Sequence, residues 1–129
     1  MSDDDLKAVL AANDEFYGAF EAQDIDRMAA CWSQDASVQC IHPGSDVIVG
    51  WPRISRSWTA IFVNSSAMQF FLTDVEVHVG GDVAVVTLAE NILSGADLVA
   101  GKVLATNVFR RIDGRWRMVL HHGSPVLRP

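Results

Sequence analysis

Two histidines are the side chains best suited to acid–base chemistry in this chain. His42 precedes the strand-breaking Pro43, and His122 precedes Gly123 near the C-terminal end. Histidine gains and loses its proton near neutral pH, so each residue can act as a general acid or base. The structural alternative makes His42 a hydrogen-bonded loop residue that fixes the turn, and His122 a core residue that holds the C-terminal tail.

Three polar side chains are candidates for orienting a bound molecule. Asn13 and Tyr17 lie in the first predicted helix, and Asn107 lies in a predicted strand. An amide beside a histidine can bind a polar group of a ligand. We therefore expect these three residues to bring polar atoms into a pocket, although Asn13 could equally bond to a neighbouring loop.

Three of the four tryptophans lie in the helical half of the chain. Trp32, Trp51 and Trp58 are candidates for the walls of a pocket that binds a flat ligand. Trp58 lies on an apolar helical stripe, where plain core packing is the alternative. Trp51 precedes a predicted helix, so we expect it at the rim of the pocket.

Cys40 lies two residues before His42 and shares its predicted strand face, so it is expected to line the same pocket. Such residues sit about 7 Å apart along a strand, which argues against a nucleophilic Cys–His pair. A metal site built from His42, His122 and a carboxylate is disfavoured, because no ligand pair has i, i+4 spacing and no carboxylate is clearly inward. We expect neither a metal nor another cofactor.

Bulk composition restricts the classes of partner. Of 129 residues, 50% are hydrophobic and 20% are charged, with a net charge of −6. This balance is typical of one globular domain, and the negative charge argues against nucleic acid or an anionic membrane as partner. No stretch resembles a secretory signal or a membrane span, and Cys31 and Cys40 form no disulfide framework. We expect a cytoplasmic protein whose residues 1–129 form one domain.

Three helices are expected before most of the sheet. Ser2 and Asp5 have capping-box spacing at the start of the first helix, and Asp24 is suited to cap a short second helix. Pro52 fits the first turn of a third helix, which should end at 64–66. These helices must position Asn13, Tyr17 and the tryptophans.

The remaining segments show the period of two that is typical of strands. Strands are predicted at 36–41, 68–79, 83–93, 102–112 and 115–122, with hairpin turns at 80–82 and 113–114. Three helices must then cover one face of a strongly bent, mostly antiparallel sheet. The predicted fold class is therefore α+β, with a conical barrel and a mostly apolar pocket between helices and sheet.

A two-residue turn at 113–114 predicts the register of the last hairpin. It pairs Asn107 with Leu120 and Ala105 with His122, which places Asn107 and His122 together on the concave face. A slip of one residue would exchange His122 for His121.

The second face of the sheet is also expected to be apolar. Val86, Leu88, Val108 and Val119 are assigned to it, whereas the outer face of a lone sheet should be polar. We therefore expect two copies to pack through their sheets into a homodimer.

Four segments together resemble a known family. They are 20–36 (FEAQDIDRMAACWSQDA), 41–58 (IHPGSDVIVGWPRISRSW), 106–111 (TNVFRR) and 113–125 (DGRWRMVLHHGSP). With their spacing, they resemble the SnoaL-like and ketosteroid isomerase-like branch of the nuclear transport factor 2-like superfamily. The resemblance implies the cone-shaped fold, a homodimer and a pocket for a small molecule, but the fold supports many reactions.

The resemblance does not extend to steroid isomerisation. Alignment on Asp24 and Asp35 places the isomerase's aspartate base at Cys40 and its oxyanion-hole tyrosine at Phe16. A buried thiol stays protonated, and phenylalanine has no proton to donate.

We therefore expect a small-molecule-binding protein that catalyses cofactor-free proton transfer, such as isomerisation, cyclisation or dehydration, on a small apolar or aromatic molecule. His42 and His122 would be the acid and base, and Asn107 and Tyr17 would orient the substrate. The alternative is a non-catalytic ligand-binding or dimerisation module. An open cavity beside the histidines would favour the enzyme or receptor, and a collapsed interior would favour the module.

Overall fold

The computed structural model describes residues 2–93 and 99–127. The helices are α1 (Asp3–Ala22), α2 (Ile25–Cys31) and α3 (Trp51–Asn64). The strands are β1 (Gln39–Ile41), β2 (Ile48–Val49), β3 (Gln69–Gly80), β4 (Val83–Leu93), β5 (Val99–Ile112) and β6 (Arg115–Pro125). The order of helices and strands follows the sequence prediction, with the short β2 as an additional strand.

Each helix begins at a residue suited to that position. The Ser2 hydroxyl oxygen accepts a hydrogen bond of 3.0 Å from the Asp5 backbone N–H. The Asp24 carboxylate accepts from the N–H groups of Asp26 and Arg27, which satisfies free donors of the first turn of α2. Gly50 precedes α3 with a φ of 91°, a conformation that favours glycine. The predicted caps at Ser2 and Asp24 are therefore confirmed.

One six-stranded sheet carries the order β2-β1-β6-β5-β4-β3. The β1–β6 pair is parallel, and the other pairs are antiparallel. Buried residues of all three helices pack with the sheet in one hydrophobic core. The predicted α+β class, with three helices and a mostly antiparallel sheet, is confirmed.

The last hairpin contains a bulge that the sequence prediction missed. Asp113 and Gly114 have φ values of 52° and 79°, as a type I′ turn requires, and Phe109 pairs with Met118 as expected. The next partners are Val108 and Leu120, so Val119 is an extra residue in β6.

The bulge reverses the faces of the two adjacent histidines. Asn107 pairs with His121, whereas His122 pairs with Thr106 and is exposed. The prediction that His122 points inward is wrong, and the alternative with His121 inside is the one observed. The bulge lies where β6 changes its neighbour. The Met118 carbonyl accepts a bond of 3.0 Å from the Ser33 N–H, and from Leu120 onward β6 pairs with β1.

The assignment of β4 to its two faces was also wrong. Val86 and Leu88 are buried in the core rather than exposed on the second face. They alternate with Val85 and Thr87, so Glu90 lies on the inward face with them. Because β4 is apolar on both faces up to residue 89, alternation alone did not decide which face points inward.

Within the part of the chain that the structure describes, no helix combines the length and the apolar character that crossing a bilayer requires.

Candidate functional site

A cavity of about 180 Å³ lies between α1, α3 and the inner face of the sheet. Three titratable side chains line it: His42, Glu90 and His121. The other lining groups are mainly apolar and include Phe20, Ile61, Met68, Phe70, Ile92 and Val103. Apolar walls with a few convergent polar groups are typical of a small-molecule site. An open cavity beside His42 favours an enzyme or receptor over a non-catalytic module with a collapsed interior.

Glu90 is the carboxylate that the sequence prediction lacked. Its side chain points inward from β4 and the residue is 3% exposed. Burial raises the pKa of Glu90 to about 7, because the charged form loses hydration, while the Tyr17 hydrogen bond partly opposes the shift. Glu90 is therefore divided between its acid and carboxylate forms near neutral pH.

A directional chain of hydrogen bonds leads from Glu90 to His121. The Tyr17 hydroxyl donates to Glu90 Oε2 over 2.6 Å, and Asn107 Nδ2 donates to the Tyr17 oxygen over 3.2 Å. Asn107 Nδ2 also donates to Asn13 Oδ1 over 2.9 Å, which fixes the orientation of the Asn107 amide. The Asn107 Oδ1 atom must then accept, and it lies 2.6 Å from His121 Nδ1. Asn13, Tyr17 and Asn107 thus meet in one buried network behind the cavity, rather than lining it as predicted.

This network determines the tautomer of His121. Its Nδ1 atom donates to Asn107, so the neutral ring keeps its lone pair on Nε2. The ring packs 4.9 Å from Phe16 and 5.9 Å from Trp58, measured between centroids. Burial lowers the pKa of His121 to about 3, with a smaller contribution from His42 and His122. His121 is therefore a neutral acceptor at the cavity wall.

His42 is held in the opposite tautomer. The Ser57 hydroxyl donates to the Ile54 carbonyl over 2.7 Å, so it accepts from His42 Nε2 at 2.9 Å. The lone pair of the neutral His42 ring then lies on Nδ1. Burial lowers the pKa of His42, which keeps the ring neutral at physiological pH.

Cys40 lies beside His42, closer than the strand spacing suggested. The sulfur is 3.7 Å from Nε2 and 3.9 Å from Nδ1 of His42, so the expectation that distance separates the two side chains is wrong. Burial raises the pKa of the Cys40 thiol to about 12. The thiol therefore stays protonated, which still disfavours a nucleophilic role.

The tryptophans do not line the cavity. Trp32 is fully buried and packs on Trp51 at 5.9 Å, and its indole N–H faces the Met28 sulfur at 3.4 Å. Trp58 is fully buried and packs edge-on against His42 at 4.8 Å. Its Nε1 atom is buried and has no hydrogen-bond partner among the described residues. Trp58 therefore supports the histidines from behind, whereas Trp32 and Trp51 form a separate part of the core.

The outward orientation of His122 separates it from His42, so the two do not form the predicted pair. In residues 2–93 and 99–127, no group of three or more His, Cys, Asp or Glu side chains is arranged to hold a metal ion.

A larger groove of about 540 Å³ lies between α1, α2 and the β5–β6 turn. Alanines of the two helices line much of it, together with Glu15, Cys31, Arg115 and Trp116. Cys31 donates to the Arg27 carbonyl, and burial raises the pKa of its thiol to about 11. The groove contains no polar network comparable to that of Glu90, so we assign the chemistry to the smaller cavity.

A comparison with protein families decides where the chain belongs. Residues 9–128 match the profile of the SnoaL-like domain. The chain belongs to the SnoaL-like domain family, within the nuclear transport factor 2-like superfamily. The extension of this domain to all of residues 1–129 stays a prediction.

Solved structures support the assignment to the SnoaL-like fold. A candidate dehydratase of the same superfamily from Streptomyces avermitilis is 42% identical, with a TM-score of 0.89 over 98% of this chain and 99% of that one. A candidate calcium/calmodulin-dependent protein kinase type II association domain from Thiobacillus denitrificans is 36% identical, with a TM-score of 0.86 over 91% and 94% of the two chains. A protein of unknown function from Pseudomonas putida, 21% identical with a TM-score of 0.89 over 99% and 91%, shares the fold.

A curated relative is longer than this chain. The F-box protein SKIP8 of Arabidopsis thaliana is 30% identical over 121 residues, which are 94% of this chain and 51% of that protein. This SnoaL-like chain therefore spans about half the length of that relative.

The sequence did contain a signal for Glu90. Ala84, Val86, Leu88 and Glu90 alternate along β4, so one correct inward assignment would have placed the carboxyl group in the cavity. The assignment of Val86 and Leu88 to the outer face concealed it.

Proposed function

We propose that this SnoaL-like protein binds a small, mostly apolar molecule in the Glu90 cavity and catalyses proton transfer on it without a cofactor. One observation carries the proposal. Glu90 and His121 line the same cavity and are joined behind it by hydrogen bonds through Tyr17 and Asn107. Ionisable groups with shifted pKa values at a cavity wall are frequent in active sites.

Glu90 is the group proposed to move the proton. With a pKa of about 7, its carboxylate form can remove a proton from carbon, and the resulting acid can return that proton. In an isomerisation, the proton goes back to a different carbon as the double bond shifts. In a dehydration, it goes to the departing hydroxyl group, whose C–O bond breaks and which leaves as water.

The two inward histidines are proposed to orient the substrate. Nε2 of His121 and Nδ1 of His42 carry lone pairs and accept hydrogen bonds from substrate hydroxyl groups. The sequence prediction made His42 and His122 the acid and base. In this proposal, Glu90 takes over that role, His42 binds the substrate, and His121 takes the place of His122. Tyr17 and Asn107 position Glu90 and His121 from behind.

Dehydration is favoured among the three reactions. The candidate dehydratase from Streptomyces avermitilis is 42% identical over nearly the whole of both chains. That similarity supports the same reaction class but names no substrate.

A non-catalytic module is the second candidate function. The 36% identity to the candidate kinase association domain and the similarity to half of an F-box protein favour it. A binding module needs no titrating carboxyl group, so the role of Glu90 separates the two functions.

The proposal is tested by proton exchange at carbon. We expect the wild-type protein to exchange the α-protons of 4-hydroxycyclohexanone, a one-ring ketone with a donor hydroxyl group, with deuterated solvent, and Glu90→Gln to slow this exchange about a hundredfold or more. The measurement is proton NMR of the ketone over time. The control is Glu76→Gln, which removes an exposed carboxylate from β3. Equal exchange rates for Glu90→Gln and the wild type, or no exchange above the buffer rate, would favour the binding module.

We also propose that two copies pair through the outer face of the sheet. Phe71 and Leu104 are 61% and 54% exposed on this face, and half-buried Val85, Val108 and Leu120 lie on it as well. Thr87, Thr106 and His122 form a polar row between these two groups, and the exposed apolar side chains on either side of the row favour an interface.

A further inference from the structure

We infer that the Glu90 cavity takes an uncharged ligand about the size of one six-membered ring, with a hydroxyl group that donates to a histidine lone pair. This ligand class rests on the proposed function, because it concerns the same cavity. It adds the size, charge and polar group of the molecule that is bound.

The volume sets the size of the ligand. The cavity measures about 180 Å³. Pockets for drug-sized molecules span roughly 300–1,000 Å³, whereas an apolar cavity of about 150 Å³ holds benzene. A single ring with one or two substituents therefore fits inside, whereas two fused rings must either project from the opening of the cavity or move its walls.

Close packing of aromatic rings restricts such movement of the walls. Phe20 packs edge-on against Phe70 at 4.5 Å and against Trp58 at 4.8 Å. Trp58 is itself fully buried and touches Phe16 and His42. Displacing one ring disturbs the others, because protein interiors are packed at nearly crystalline density.

The charges at the wall favour an uncharged ligand. Among the described residues that line the cavity there is no Lys or Arg, and the ionisable groups are Glu90 and two neutral histidines. A ligand carboxylate or phosphate would find no cation and would face the Glu90 carboxyl group. A buried ammonium group would lose its hydration, a cost that pairing with the single Glu90 carboxylate often does not repay.

The histidine tautomers select the polar group. The Nδ1 atom of His121 and the Nε2 atom of His42 are occupied by Asn107 and Ser57, which leaves one lone pair on each ring. The lone pair of His42 also lies 3.9 Å from the Cys40 sulfur, a weak donor that a hydroxyl group can displace. A lone pair requires a donor, and a hydroxyl group is the uncharged donor that also occurs in dehydration substrates. A buried acceptor left unpaired costs about 1–3 kcal/mol in general.

The test is a set of one-step comparisons by isothermal titration calorimetry at neutral pH. Phenol is the reference ligand. We expect 2-naphthol, which adds a ring, to bind about tenfold more weakly or worse. The same is expected of benzoate and benzylamine, which replace the hydroxyl group with groups of opposite charge. Anisole, whose oxygen carries no proton, should also bind more weakly than phenol.

Two variants tie the binding to this cavity. Ile61→Ala enlarges it, so 2-naphthol should gain affinity relative to phenol, whereas Val63→Ala, at a 78% exposed position of the same helix, should change neither ligand. Glu90→Gln removes the carboxylate while keeping an acceptor for Tyr17, so benzoate should gain affinity. Both variants are first checked for a cooperative thermal transition, and the Glu90→Gln comparison stands if Ile61→Ala does not fold.

The outcomes separate this inference from the catalytic proposal. Equal or tighter binding of 2-naphthol, benzoate, benzylamine or anisole overturns the ligand class, and so does the absence of phenol binding. Phenol binding without any proton exchange leaves the ligand class standing and removes catalysis. Proton exchange that depends on Glu90 but acts on a large or anionic substrate supports catalysis and overturns the ligand class.

Discussion

Glu90 occupies a core position where an apolar side chain would favour the folded state. It follows Val86 and Leu88 on the inward face of β4, and its pKa is raised to about 7 by burial. A carboxyl group whose folded pKa exceeds its unfolded pKa contributes stability at low pH, and this contribution is lost as the pH rises through the folded pKa. The window for Glu90 therefore runs from its unfolded value of 4.5 to about 7.

A comparison with an uncharged amide isolates this effect. We expect the unfolding free energy of Glu90→Gln, relative to the wild type, to rise by about 3 kcal/mol between pH 4.5 and about pH 8, at 1.36 kcal/mol per unit of pKa. Urea unfolding at several pH values measures the difference in unfolding free energy. Both proteins contain His121, so its contribution to the pH dependence is the same in each and does not affect the difference. The exposed Glu76→Gln should give no such trend, and a flat difference for Glu90→Gln would show that Glu90 titrates normally.

At the scale of secondary structure, the bulge at Val119 determines which histidine enters the cavity. The type I′ turn at Asp113 allowed the first pairs of the β5–β6 hairpin to be predicted. The prediction failed at Val119, where β6 changes its neighbour from the end of α2 to β1. That contact joins residues far apart in the chain, so no local pattern contains it.

Because of the bulge, substitutions of the two adjacent histidines should differ in their effect on the unfolding free energy. His121→Ala removes a buried ring and leaves Asn107 without its partner, so we expect a loss of about 2–4 kcal/mol of unfolding free energy. His122→Ala changes an exposed side chain and should stay within about 0.5 kcal/mol of the wild type. Chemical denaturation of both variants tests this. A larger loss for His122→Ala would mean that the unbulged register is the real one.

At the scale of the whole molecule, the sequence allowed the fold class and family to be predicted well, because helix caps, turns and strand periods agree along the chain. Asn13, Tyr17 and Asn107 were predicted to point inward because their neighbours have a clear period, and they meet in the buried network. His42 lines the cavity, and the roles of all four residues stay predictions. Glu90 was missed because β4 is apolar on both faces, and that same feature underlies the proposed homodimer.

The homodimer is tested by a charge on the outer face. Leu104→Arg should convert the protein from dimer to monomer in sedimentation equilibrium, because two copies would bury the new charge without a partner. Val63→Arg, at an exposed position of α3, should leave the dimer intact. A wild-type protein that sediments as a monomer would contradict the proposed pairing.

The titration of Glu90 tests the central claim most directly. The chain contains four glutamates, so a protein labelled with ¹³C at the glutamate carboxyl carbon gives four signals, and Glu90→Gln identifies the one from Glu90. The account predicts that this signal titrates with a pKa of about 7 and responds to Tyr17→Phe, which removes the hydrogen bond. A pKa near 4.5 with no response to Tyr17→Phe would contradict a buried, proton-transferring carboxyl group in this cavity.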